Sequence, residues 1–335
     1  MDFYREITVL PLGELIERYP VCEDFLHSYG LDEAPRELPF PKALEGQTAD
    51  RLSDMGLSVR VLQELLGDLL ERETEAAKEK IGRIEILGGT DKDGQPEKID
   101  LTIRIGEVVS LVGPTGSGKS QLLADIECAA RGDTPTGRTV LFDGKELSDE
   151  QRFSLGNRLV AQLTQNMNFV MDASVEDFLR LHARSRMLSD PESEIGRCFE
   201  TANDLSGEPF EKSTSLTRLS GGQARALMIA DAACISPSPI LLIDEIENAG
   251  IDRVRAVERL TGGDKIVLLA THDPLLALSA GKRIVLHNGG IRAVLETDEE
   301  EKAELRRLRA AEERNNRLRR AIRAGERIKA YVGAV

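Results

Sequence analysis

Leu12, Leu15, Ile16 and Tyr19 recur at the spacing of one helix face, and Leu57, Val61, Leu62, Leu65 and Leu69 repeat that pattern further along. The Pro-rich stretch from Pro35 to Pro41 predicts a loop between the two. Residues 1–80 therefore read as a small all-α domain. From about Ile81 the period changes. Ile84-Glu85-Ile86-Leu87 runs into Gly88-Gly89, and Ile99, Leu101, Ile103 and Ile105 alternate like a half-buried strand. Residues 108–112 form a short apolar run, as expected of a strand buried on both faces. Similar runs follow at 140–142, 240–243, 266–269 and 284–286. Strands separated by helical spacings predict an α/β domain with a largely parallel sheet over residues 81–294. Between about 165 and 236 the β pattern stops. Val175, Phe178, Leu179 and Leu181 mark a helical subdomain inserted there. Residues 295–335 predict one charged helical extension with a thin apolar stripe of Leu305, Leu308, Leu318 and Ile322.

Composition narrows the partners. The 335 residues carry 44 basic and 58 acidic side chains, a net charge of −14. That balance argues against a general affinity for nucleic acid. The charge is uneven: residues 1–80 hold 9 basic and 18 acidic side chains, whereas residues 302–329 hold 11 and 4. The basic helix suits packing on its own domain or on a twin, with docking to an acidic partner or a local nucleic-acid contact as the alternatives. No apolar run reaches the roughly 18 residues of a membrane span. The opening MDFYREITVL lacks the basic and apolar regions of a secretory signal. A cytoplasmic location is expected, with membranes reached only through a partner. Cys22, Cys128, Cys198 and Cys234 form no CxxC pair, so reduced thiols are expected.

The candidate chemistry is phosphate chemistry. Gly113-Pro114-Thr115-Gly116-Ser117-Gly118-Lys119-Ser120 fits GxxxxGK[ST], directly after the 108–112 strand and ahead of a helix over 121–129. Glycines let backbone N–H groups turn inward around phosphate oxygens, and the helix N-terminus adds positive potential. Lys119 suits the β- and γ-phosphates, and the Ser120 hydroxyl suits Mg²⁺. The 240–243 strand ends in Asp244-Glu245, at the carboxyl end where α/β sheets bind ligands. Asp244 can hold Mg²⁺ through water, and Glu245 can polarise an attacking water.

Leu219-Ser220-Gly221-Gly222-Gln223 read alone is a turn before a helix. Read with the rest, the set resembles the ATP-binding cassette (ABC) ATPases, over about residues 81–294. The phosphate loop comes first. Gln165, in Thr164-Gln165-Asn166-Met167, is similar to the family's Q-loop glutamine. The signature follows, then Asp244-Glu245, then Asn248 to Asp252 at the D-loop position. Ala270-Thr271-His272-Asp273 is similar to the switch-histidine motif. The resemblance implies a P-loop NTPase of ABC type that binds ATP and Mg²⁺ at a head-to-tail dimer interface, with a twin or a paralogous subunit. Ser220, Gly221, Gly222 and Gln223 would face the other subunit's phosphate loop, Asp252 would join the nucleotide contacts, and Gln165 would sense Mg²⁺ and water. His272 would hold the γ-phosphate, and Glu245 would act as general base.

Departures from the family pattern shape the biological reading. Ile84 to Gly89 holds no aromatic residue where transporters stack adenine, and Ile246 to Asp252 lacks the usual proline. Leu12-Gly13-Glu14-Leu15-Ile16 with Tyr19-Pro20 resembles a small helical domain at the front of some iron–sulfur repair proteins. Leu31-Asp32-Glu33 after Gly30 lacks its cysteines. These features point first to an ATPase working on a soluble client complex, in metalloenzyme maturation or activation. The transporter-like 165–183 region points to the alternative, the ATP-binding subunit of a membrane transporter with a permease as partner.

Overall fold

The computed structural model describes residues 3–45, 52, 56–76, 81–149, 151–152, 159–164, 169, 171–186, 188, 190–244, 253–261 and 264–328. The chain divides into two compact units, one of residues 1–81 with 168–237, the other of 82–167 with 238–335. The C-terminal helix thus belongs to the same unit as the sheets.

The N-terminal part of the first unit contains α1 (Phe3–Val9), α2 (Leu12–Arg18), α3 (Val21–Ser28), α4 (Phe40–Ala43) and α5 (Val59–Ala76). The Pro-rich stretch is not all loop. Pro39 precedes α4, Pro41 sits in its first turn where a missing N–H costs nothing, and Phe40 is fully buried. The core face of α5 also differs from the expected one. Leu62, Leu66 and Leu70 are fully buried, whereas Val61 and Leu65 are about two-fifths exposed. Paired apolar residues at 61/62, 65/66 and 69/70 offer two adjacent columns, and only one can face a neighbouring helix.

Residues 168–237 carry α6 (Val175–Ser185), α7 (Pro191–Leu205), a 3₁₀ turn at Leu216–Arg218 and α8 (Gly221–Cys234). Each of the three α-helices is capped at its start. Ser174 forms a capping box with Asp177, Asp190 accepts from the Ser193 N–H, and Ser220 forms a capping box with Gln223. Their buried faces, including Val175, Phe178, Leu179, Ile195, Cys198 and Leu227, form a separate apolar cluster.

The second unit holds two sheets. β1 (Arg83–Gly88), β2 (Leu101–Arg104) and β4 (Arg138–Phe142) form an antiparallel sheet in the order β2-β1-β4. The expectation of one largely parallel sheet is therefore corrected for these three strands. The second sheet runs β5 (Val160–Leu163), β6 (Ile240–Asp244), β7 (Ile266–Ala270), β3 (Val108–Val112), β8 (Lys282–His287), β9 (Gly290–Glu296). Neighbours are parallel except β8 and β9. The central β6 and β7 are buried almost throughout, as a sheet covered on both faces requires. β9 is a strand beyond those expected from the apolar runs. Asn288 and Gly289 both have positive φ, as the two-residue turn of a tight hairpin demands. Helices α9 (Lys119–Glu127), α10 (Arg253–Thr261), α11 (Pro274–Ser279) and α12 (Glu299–Arg323) complete the unit.

Candidate functional site

The phosphate loop lies between the end of β3 and the start of α9, with Gly118 at the helix N-cap in a left-handed conformation. Close approach demands glycine here. A Cβ on Gly113 would stand 2.3 Å from the Leu286 carbonyl oxygen, and one on Gly118 would stand 2.9 Å from the Gly289 Cα. The Gly289 N–H donates to the Ser117 carbonyl at 2.9 Å, so the loop backbone is tied to the β8–β9 turn. Lys119 is buried. Its Nζ donates to the Gly113 and Pro114 carbonyls at 2.9 and 3.3 Å, curling back into the concavity that the loop encloses. The same Nζ lies 3.2 Å from Nε2 of His272.

His272 is fixed by its flanks. The Thr271 N–H donates to the Leu111 carbonyl, and the Thr271 hydroxyl accepts from the Asp273 N–H. The Asp273 carboxylate caps α11 through the N–H groups of Leu275 and Leu276. The imidazole is thereby held between a central strand and a capped helix. One residue beyond Lys119, the Ser120 hydroxyl donates to Asp244 Oδ2 at 3.2 Å. Hydroxyl and carboxylate oxygens are hard donors that suit Mg²⁺, which takes few protein ligands and fills its octahedron with water and substrate oxygens. Among the described residues no group of three or more His, Cys, Asp or Glu is placed to hold a metal.

A buried ionic cluster braces the loop. Arg138, on β4, is fully buried. It donates to Asp125 of α9 at 3.0 Å, to Glu97 at 2.6 and 3.0 Å, and to the Gly289 carbonyl at 2.7 Å. Asp125 also accepts from the Thr136 hydroxyl, and Glu97 from the Ile291 N–H. Three other chain segments converge on one guanidinium, which has the donor geometry for such a convergence. Periodicity and motif spacing do not mark these residues, because a buried ion cluster depends on contacts distant in sequence. The β8–β9 turn did carry a signal, Asn288-Gly289 between apolar runs.

In the first unit, Ser220, Gly221, Gly222 and Gln223 open α8. Ser220 Oγ accepts from the Gln223 N–H, Gln223 Oε1 accepts from the Ser220 N–H, and Gln223 Nε2 donates to the Glu208 carbonyl at 3.1 Å. Gly221 is exposed, its φ is not in the left-handed region, and a Cβ there would meet nothing within 4 Å. Neither backbone conformation nor internal packing requires glycine at 221. Its use there leaves the helix N-terminus open to close approach by another group. Gln165, Glu245 and Asp252 lie outside the described residues. Thr115 and Pro114 sit exposed on the loop rim.

Residues 96–248 match the sequence profile of the ABC transporter family. An uncharacterized ABC transporter ATP-binding protein of Methanocaldococcus jannaschii is 50% identical over 250 residues, covering 74% of this chain and 95% of that protein. The lipoprotein-releasing system ATP-binding protein LolD 1 of Caulobacter vibrioides is 32% identical over 206 residues, 57% of this chain and 83% of its own. Among solved structures, cbiO1 of Clostridium perfringens, part of the ABC transporter complex cbiONQ, superimposes with a TM-score of 0.52. It is 24% identical and covers 73% of this chain and all of that one, a likeness of fold.

Proposed function

The chain belongs to the ATP-binding cassette ATPase family, and from that premise we propose that it is the ATP-binding subunit of a membrane transporter, coupling ATP hydrolysis to movement of a permease. The observation that carries the catalytic half is the convergence of Lys119 Nζ, His272 Nε2, the Ser120 hydroxyl and the Asp244 carboxylate around one phosphate loop. The names of the relatives favour a permease over the soluble client complex and metalloenzyme maturation expected first from the sequence. Among the described residues no helix is long and apolar enough to cross a membrane, so the permease would be a separate chain or segment.

In this reading the loop N–H groups and Lys119 bind the β- and γ-phosphates, Lys119 exchanging its two carbonyl partners for phosphate oxygens. Ser120, Asp244 and Gln165 would hold Mg²⁺, which would supply charge neutralisation for the transferred phosphoryl group. Glu245 takes the proton of the attacking water, and His272 steadies the γ-phosphate. Ser220, Gly221, Gly222 and Gln223 of a second copy or a paralogue present the N-terminus of α8 to that phosphate, with Asp252 beside the interface. The γ-phosphate then closes the dimer, and hydrolysis opens it.

The test is affinity capture of Glu245→Gln protein with ATP and Mg²⁺ from native cells, with soluble and detergent-extracted fractions analysed separately. A multi-span permease recovered in stoichiometric amount supports the reading. Recovery of a soluble complex without a permease overturns it.

A further inference from the structure

The stretch between β1 and β2 lies against the phosphate loop. The Lys92 N–H donates to the Asn288 carbonyl at 2.9 Å, and Asn288 Nδ2 donates to Asp93 Oδ2 at 2.7 Å. The Thr90 N–H donates to the Thr136 carbonyl, and Glu97 is locked by Arg138. The packing is tight. A Cβ on Gly289 would meet Lys92 Cγ at 3.0 Å, and one on Gly290 would meet Asp91 Cβ at 3.2 Å. From this anchored position the exposed Lys92 reaches the phosphate loop, its Nζ donating to the Gly116 carbonyl at 2.8 Å.

We propose that Lys92 is a positioning residue for nucleotide binding: its ammonium holds the Gly116 carbonyl outward, which turns the N–H of the same peptide, that of Ser117, toward the phosphates. The geometry follows from the trans peptide, whose C=O and N–H point in opposite directions. The Ser117 N–H points back into the loop and donates to the Pro114 carbonyl at 3.1 Å. Gly116 has φ of +77° and nothing within 4 Å of a would-be Cβ, so packing around its Cα does little to fix that peptide. Lys119 restrains the Gly113 and Pro114 carbonyls from within the loop, and Lys92 restrains the Gly116 carbonyl from outside. A loop fixed at both ends binds a polyanion with less ordering than a free one. The proposal rests on the ATPase reading of this site.

The experiment measures steady-state ATP hydrolysis and calorimetric ATP binding on the full chain, as wild type, Lys92→Met, Lys92→Arg and Lys119→Ala. Lys92→Met is expected to raise KM and Kd for ATP about tenfold, as loss of one charge-assisted hydrogen bond does, with kcat within about twofold. Lys92→Arg should recover most of the affinity, since it restores the cation and donor. The melting temperature without nucleotide should not move, because Lys92 is exposed. Unchanged KM in Lys92→Met, a fall in kcat at constant KM, or equal loss in the Met and Arg variants overturns the role of Lys92 alone. Failure of wild type to bind ATP any better than Lys119→Ala overturns the ATPase reading, and this inference with it.

Discussion

Arg138 and Asp125 meet at 3.0 Å with neither side chain exposed to solvent, which joins β4 to the helix that follows the phosphate loop. Glu97, only 2% exposed, completes the cluster on the other side of the guanidinium. Removing the cation leaves two buried carboxylates without a counter-charge. Arg138→Met should therefore cost about 3–5 kcal/mol of stability, read as a lower urea midpoint. A triple variant, Arg138→Met with Glu97→Gln and Asp125→Asn, should recover part of that loss, because the stranded charges are gone. Equal midpoints for the single and triple variants would contradict the account.

Ser220 has two separable tasks. Its hydroxyl caps α8, and in the proposed dimer it also faces a γ-phosphate. Aspartate caps helices as well as serine does, yet its charge repels phosphate. Ser220→Asp should keep the melting temperature within about 2 °C, since an unchanged cap leaves ΔΔG near zero, while hydrolysis falls at least ~10-fold from like-charge repulsion. Ser220→Ala should lose about 1 kcal/mol of stability with the cap.

Gly221 makes the same distinction with the opposite sign. The fold gives a methyl group there open space, and alanine is a better helix former by about 1 kcal/mol. Gly221→Ala should raise or preserve stability while weakening ATP-driven dimerisation, measured by light scattering in the Glu245→Gln background. Loss of stability together with dimerisation would show that the glycine serves the fold.

The helical subdomain carries an unequal cysteine pair. The neighbouring Cys198 thiol, with Thr201 and Arg197, holds the Cys234 thiol down at about 6, and the Cys234 thiol lies 3.9 Å from the Thr201 hydroxyl. Cys198 is pushed up by its pairing with Cys234 and by burial. Iodoacetamide should label the half-buried Cys234 with a rate rising through about pH 6, while Cys198 stays unlabelled at alkaline pH in the folded chain. Because the folded value of Cys234 lies below its unfolded value near 8.5, its ionisation adds stability above that unfolded value. The contribution is lost as pH falls through about 6. Equal labelling rates for the two thiols at pH 7 would refute the assignment.

How much of this was legible in the sequence depends on the range of the interaction. The strand–loop–helix around Lys119 could be read because phosphate binding fixes local spacing, and the cap at Ser220 could be read because Gln223 is three residues away. The antiparallel sheet could not. β1 pairs with β4 across more than fifty residues, and alternation in either strand says nothing about its partner. The core face of α5 was undetermined for a similar reason: Leu65 and Leu66 are equivalent until a neighbouring helix chooses between them. Nothing local marks Glu97, Asp125 and Arg138 as buried, since burial of a charge depends on partners that no local window contains. β9 is different, because the Asn288-Gly289 pair between apolar runs is a hairpin signal within one short window.

The contact between Gly118 and Gly289 also governs how freely the gene can vary. In a saturation library scored for folded protein, positions 113 and 118 should tolerate almost nothing, because backbone atoms already occupy the space of a β-carbon, and 289 little more, because its φ of +90° strains any side chain. Gly221 should accept alanine in that screen and fail only when the score is ATP-driven function. Two screens on one library would thereby sort the glycines of this motif set into those that build the molecule and those kept open for what it binds.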